Sequence, residues 1–183
     1  MRVYAISDTH DMLGAIDSFL RVVLSDPEAG YLIHLGDVVS PFSLRYIVDA
    51  LPRGFRLKVV LGNNDGDKIL LRSISDGVVE QPEEVEICGL RALLLHGFKS
   101  PELTERIVDG IACGGDYDMV LYGHTHRFRL DSRCSRYVIN PGTLSGYLSS
   151  RSTYATIDCA RFTASIVELE TGRELAARTL AGK

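Results

Sequence analysis

Each of five short apolar runs in this chain ends on a residue that can bind a metal: Asp8 after RVYAIS, Asp37 after YLIHLG, Asn63 after LKVVLG, His96 after RALLL and His124 after DMVLYG. Runs of this length read as buried strands. In an open α/β sheet the side chains that must act together are collected in the crevice outside the carboxyl ends of the strands. Residues far apart in sequence would therefore meet at one place. Two further histidines stand two positions beyond such residues, His10 in Asp8-Thr9-His10 and His126 in His124-Thr125-His126, which brings the candidate ligands to seven.

The segments between the runs support this reading. Met12 to Leu24 places Leu13, Ile16, Phe19, Leu20, Val23 and Leu24 on one helical face. The strand-then-helix unit recurs as YLIHLG with Ser43 to Leu51 and as LKVVLG with Lys68 to Ile74, so parallel strands with right-handed crossovers are expected. After residue 77 the rhythm changes. Val85 to Cys88 and Arg91 to Leu95, separated by Gly89, predict a hairpin, and a helix is expected to begin near Pro101 and Glu102. Short strands then follow at Arg127 to Leu130, Ser135 to Ile139, Thr153 to Asp158 and Phe162 to Leu169, and the second half reads as antiparallel sheet. Arg173 to Leu180 is assigned to a strand through the Thr171-Gly172 turn, although Glu-Leu-Ala-Ala-Arg is also a good helix former. No repeat or linker divides the chain, so residues 1–183 are expected to form a single domain of two packed sheets flanked by helices.

Composition narrows the class of partner. A formal net charge of −4 without a Lys/Arg block argues against a general grip on nucleic acid. The longest apolar stretches fall far short of the ~20 residues a bilayer span needs. The chain opens on a strand-like segment without the charged leader of a signal peptide, so export is not expected and the cytoplasm is the anticipated compartment. Cys88, Cys113, Cys134 and Cys159 lack the close spacing of zinc knuckles or thioredoxin-like centres, and reduced structural thiols are expected.

Taken singly, the motifs are weak. Asp at a strand end usually caps a helix, and Asn or Asp beside Gly usually makes a turn, which covers Asp8, Gly36-Asp37 and Asn63-Asn64-Asp65-Gly66. His124-Thr125-His126 is more specific, because alternate histidines on a tight segment are uncommon without a metal. The combination decides: four of the five histidines lie in these motifs, and each motif follows an apolar run. His34, inside YLIHLG, reads as a core or supporting histidine. Asp65 either orients a ligand or caps the next helix, and Asn140-Pro141-Gly142-Thr143 is either a plain turn or a brace for His10 or His126. Carboxylate, amide and imidazole donors suit a hard or borderline divalent cation. Two such cations about 4 Å apart, sharing one carboxylate, suit in-line displacement at phosphorus.

In this order the motifs Asp8-Thr9-His10, Gly36-Asp37, Gly62-Asn63-Asn64-Asp65, His96-Gly97 and Gly123-His124-Thr125-His126 make the chain resemble the calcineurin-like metallophosphoesterases, particularly their small bacterial and archaeal phosphodiesterase branch. The resemblance covers essentially the whole chain. It implies an α/β fold, a four-layer α/β/β/α sandwich. It implies that Asp8, His10, Asp37 and His126 hold one metal and that Asp37, Asn63, His96 and His124 hold the other, with Asp37 as the bridge. Asp37, Asn63 and His96 are the residues given catalytic roles, and no organic cofactor is expected. The two divalent ions would be Mn2+ first, with Ni2+, Fe, Zn2+, Co2+ or Mg2+ as alternatives. Many relatives carry a histidine after the metal-binding asparagine as general acid, whereas this chain has Asn64, and an amide does not supply that proton at neutral pH. Phe98 and Arg127 also differ from many relatives and are expected to act on substrate selection.

The expected function is thus a metal-dependent phosphodiesterase acting on a small-molecule phosphodiester through a metal-bridging hydroxide. A phosphomonoesterase or nucleotide pyrophosphohydrolase of the same family is the alternative. The rival from another class is a non-catalytic scaffold such as the small retromer subunit, which resembles this branch but has lost ligand capacity. An exposed sheet edge could pair two copies into a homo-oligomer, although no sequence feature demands it.

Overall fold

The computed structural model describes residues 1–180. Twelve strands and four helices follow in the order β1 (Arg2–Ile6), α1 (Leu13–Ser25), β2 (Ala29–His34), α2 (Pro41–Ala50), β3 (Arg56–Val60), α3 (Lys68–Ile74), β4 (Val78–Val79), β5 (Glu83–Ile87), β6 (Leu90–Leu94), α4 (Pro101–Gly114), β7 (Met119–Leu121), β8 (Arg129–Arg133), β9 (Arg136–Asn140), β10 (Thr153–Asp158), β11 (Thr163–Glu168) and β12 (Glu174–Thr179). The helices start where their sequences direct. Ser40, Asp67 and Ser100 cap α2, α3 and α4 through their side-chain oxygens, and proline opens both α2 and α4. Helix α1 buries Ile16, Phe19, Leu20 and Val23, a stripe at helical spacing.

Two sheets result. One has the order β12-β11-β10-β1-β2-β3-β4 and the other β5-β6-β7-β9-β8. Between them lies an apolar layer that includes Val3, Ala5, Ile33, Leu94, Leu121, Ile139 and Ile157. Helices α1, α2 and α3 cover the outer face of the larger sheet over Tyr4, Leu32, Val59 and Leu61, while Val108 and Ala112 of α4 cover the smaller sheet over Val120 and Tyr122. The layers are α/β/β/α, as the resemblance implied.

Two expectations need correction. The second half is antiparallel only in part: β5–β6, β8–β9 and β10–β12 pair that way, as expected. Strands β6, β7 and β9 run parallel, and β10–β12 cross back to join the first sheet, with β10 antiparallel to β1 from Arg2↔Asp158 to Ala5↔Ala155. Apolar period reveals a strand but not its neighbour, so this return to the older sheet edge left no local trace. The two-residue strand β4, paired parallel to β3, is likewise too short to show a period. The tail does form a strand, β12, paired with β11.

The thiols are not reduced. Cys88 bonds to Cys159 and Cys113 to Cys134, with Cα atoms 5.0 and 5.1 Å apart. Sequence separations of 71 and 21 hide this proximity, because the first pair joins one sheet to the other and the second joins α4 to the β8–β9 turn. Among the described residues no helix is long and apolar enough to cross a membrane.

Candidate metal centre

Strands β1, β2 and β3 of one sheet and β6 and β7 of the other point their carboxyl ends to the same side, and the loops that leave them carry the candidate ligands. The centre therefore lies across the seam between the sheets. Asp8, Asp37, His96 and His126 are buried, and Asn63 lies at the exposed lip.

Among the described residues, two groups of donors come close enough to hold a cation. Asp8, His10 and His126 form one, and Asp8, Asp37 and His96 the other, with the donor atoms of each group within 4.8 Å of one another. His126 Nε2 stands 3.2 Å from Asp8 Oδ1, and His10 Nε2 stands 3.8 Å from both Asp8 Oδ1 and Asp37 Oδ2. On the other side His96 Nε2 lies 3.4 Å from Asp37 Oδ1 and 3.0 Å from Asn63 Oδ1. The His124 ring packs edge-on against that of His96, with centroids 5.1 Å apart, outside both tight groups.

Main-chain acceptors fix the imidazoles. His96 Nδ1 donates to the Leu35 carbonyl at 2.7 Å, His126 Nδ1 to the Tyr147 carbonyl at 2.7 Å, and His124 Nε2 to the Lys99 carbonyl at 3.2 Å. A carbonyl only accepts, so each ring commits its proton there and, when neutral, offers a lone pair from its other nitrogen. For His96 and His126 that lone pair faces carboxylate and amide oxygens that are themselves acceptors. With the rings neutral, acceptor would face acceptor there, a clash that a cation relieves, or a second proton on the ring where no cation is held. Asp8 Oδ1 and His10 Nε2 are also both buried and without a hydrogen-bond partner among the described residues. The donor set thus fits divalent metal.

Electrostatics agree. Burial would push both carboxyls up, yet hydrogen bonds and charge from His96 and the Asn64 amides hold Asp37 well below the usual carboxylate range, and His126 and His96 lower Asp8 in the same way. Burial opposes charge on His96 and His126 too, but the facing carboxylates outweigh it and raise both.

Supporting residues complete the site. Asp65, whose role had two readings, caps no helix: its carboxylate accepts from the backbone N–H groups of Asp37, Gly62 and Val39 at 3.1, 2.7 and 2.7 Å, tying the second and third motif loops together. Asn140 is buried and donates to the Gly123 carbonyl and to Thr125 Oγ1, while Thr143 Oγ1 donates to the Asp8 carbonyl. That segment therefore braces Asp8 and the turn before His126, rather than His10. His34 behaves as expected of a supporting residue: it accepts from Gly36 N–H through Nδ1 and meets Thr9 Oγ1 at 3.0 Å through Nε2. Sequence reasoning missed Gln81, whose Oε1 accepts from the N–H groups of His96 and Gly97, and Tyr147, which supplies the carbonyl for His126 and lays its ring beside His10. A lone Gln or Tyr in a loop carries no pattern that would reveal either.

The glycines of the motifs are explained by crowding. A Cβ on Gly36 would lie 2.5 Å from His96 Nδ1, and one on Gly97 would lie 2.6 Å from His124 Cβ.

Residues 1–161 match the family model described as the calcineurin-like phosphoesterase superfamily domain. Phosphodiesterase MJ0936 of Methanocaldococcus jannaschii is 30% identical over 163 residues, which cover 86% of this chain and 93% of that protein. A solved structure of an archaeal phosphodiesterase superposes with a TM-score of 0.78 at 29% identity, covering 92% of this chain and 99% of the other. Vacuolar protein sorting 29 of Cryptosporidium parvum, with a TM-score of 0.72 at 21% identity over 97% of this chain and 96% of its own, shares the fold. Ordered motifs, the sandwich and a crevice lined with groups able to hold a metal converge, and the chain belongs to the calcineurin-like phosphoesterase superfamily as a hydrolase of phosphoric esters.

Proposed function

We propose that the chain is a phosphodiesterase that works with two divalent cations, held by Asp8, His10, Asp37 and His126 on one side and by Asp37, Asn63, His96 and His124 on the other. The observation that carries this reading is the set of imidazoles anchored through one ring nitrogen to main-chain carbonyls, while Asp8 Oδ1 and His10 Nε2 lie buried beside them without a hydrogen-bond partner among the described residues. Cations bound there would acidify an attacking water and offset the charge that develops on phosphorus. The protein's own part is placement. Asp8 is common to both groups, and Asp37, a member of the second, reaches toward each with a different oxygen, Oδ2 3.8 Å from His10 Nε2 and Oδ1 3.4 Å from His96 Nε2, so we read it as the bridge.

The phosphodiesterase relatives support a diester over a monoester, and Asn64 bears on the leaving group. Its side chain donates to Asp37 Oδ2 at 2.6 Å and its N–H to Asp37 Oδ1 at 2.8 Å, so it holds the carboxylate and has no proton to give a leaving group. Substrates whose leaving groups depart with little protonation are therefore favoured. We read the whole of residues 1–183 as one domain in which β12 extends the larger sheet, and manganese as the first ion to try, since mixed N/O donors accept several metals.

The test is the hydrolysis of an activated aryl phosphodiester and its matching monoester by chelator-stripped protein, before and after manganese is added. Cleavage restored by metal and favouring the diester is expected. The Asp37→Asn protein, folded and metal-saturated, should turn over slower by two or more orders of magnitude. Turnover at the parent rate would remove Asp37 from the mechanism.

A further inference from the structure

The acceptors that fix two of the imidazoles belong to segments whose side chains reach the lip of the crevice. Lys99, whose carbonyl meets His124 Nε2, lines the cleft together with Pro101, Asn64 and Leu148, and Leu148 follows directly on Tyr147, whose carbonyl meets His126 Nδ1. Both backbones are set in the left-handed region, at φ 49 for Lys99 and 57 for Leu148. Helix α4 begins immediately after Lys99-Ser100, which fixes the anchor of the lysine further. The backbones from which these two side chains project are therefore tied to the candidate ligands.

The Lys99 carbonyl serves His124, but neither side chain is tied down. Lys58 pairs with Glu83 and Lys68 with Glu80, whereas Lys99 forms no ion pair among the described residues. Leu148 is 75% exposed. Cations held by Asp8, Asp37 and the histidines would offset the charge on the reacting phosphoryl group, which leaves the Lys99 ammonium for another anion. A leucine held out at the lip offers an apolar surface to a ring. We propose, on the basis of the phosphodiesterase reading, that this cleft of ≈ 230 Å³ selects nucleotide-type phosphoesters, with a base or sugar face against Leu148 and a second phosphate on the same ester arm against Lys99.

Three p-nitrophenyl diesters test this while holding the leaving group constant: the methyl ester, the thymidine 5′-ester, and the thymidine 5′-ester that also carries a 3′-phosphate. With manganese-loaded parent protein, kcat/KM should rise about fivefold on adding the nucleoside and about tenfold more on adding the phosphate, as a charge-assisted contact contributes. Lys99→Met should abolish the second step and leave the first, Lys99→Arg should retain part of the second, and Leu148→Ser should reduce only the first. Calorimetric titration with thymidine 3′,5′-bisphosphate and with thymidine 5′-phosphate gives the same comparison without turnover, and Lys99→Met should remove the advantage of the bisphosphate. Equal kcat/KM for the three diesters in the parent, or a phosphate step that survives Lys99→Met, would overturn the proposal while leaving the phosphodiesterase reading intact. Failure of the loaded parent to cleave any of the three would overturn that reading, and the proposal with it.

Discussion

His34 shows how a buried side chain can be read out from solution. It is fully enclosed, accepts from Gly36 N–H and meets Thr9, and burial lowers its pKa from 6.5 to about 4 despite the attraction of Asp65, Asp8 and Asp37. The unfolded chain binds a proton at His34 below pH 6.5, but the folded protein takes it up only near pH 4. Stability from this residue is therefore complete above pH 6.5 and is lost as pH falls through that window, by on the order of 3 kcal/mol in all. Urea unfolding of metal-free protein across the window should show the parent losing more stability than His34→Gln. The difference between the two proteins is the readout, because His96 and His126, raised by their carboxylates, drift the opposite way in both. Parallel losses would show that His34 is not the source.

The loops that leave the strands carry most of what the sequence concealed. Five ligand candidates occupy the left-handed backbone region: Asp8, His10, Asp37, His124 and His126, at φ 55, 42, 58, 68 and 58. For non-glycine residues this conformation costs roughly 1–3 kcal/mol each and persists where the surroundings enforce it, as they do at functional sites. The ligand types and the strands that deliver them were legible because apolar period and donor chemistry are local properties. The enforcing contacts were not, since the carboxylate of Asp65, the amide of Gln81 and the carbonyl of Tyr147 act across gaps in sequence on groups far along the chain. The close approach at Gly36 tests this crowding. Its φ of 95, and the 2.5 Å that would separate an added Cβ from His96 Nδ1, mean that Gly36→Ala should displace His96 from the Leu35 carbonyl. A loss of about 2 kcal/mol or more in thermal unfolding is expected, together with weaker manganese binding in titration. A variant that melts and binds like the parent would show that the loop yields without cost.

Across the whole molecule, the four layers were readable from the resemblance, but the traffic between the sheets was not. No local pattern signals that β10–β12 return to β1 or that cysteines 71 positions apart meet. All four cysteines are paired, so thiol usage no longer favours a reducing compartment for this chain. Removing the longer link with Cys88→Ser and Cys159→Ser together should cost about 4 kcal/mol by the loop-closure argument, measured by denaturant unfolding. An unchanged midpoint would mean that the unfolded chain is already restricted there. Cys88 follows β5, and Cys159 follows the end of β10 that pairs with the start of β1, so this bond fastens the sheets at the end remote from the crevice. The crevice, with donors from both sheets, fastens them at the other end once cations are held. A body pinned to another at one point keeps three rotations, and a second pin leaves a single rotation about the line through both. With cations held, the seam between the sheets would resist sliding and end-on splaying, and a roll along the length of the sandwich would meet the interlocked apolar layer.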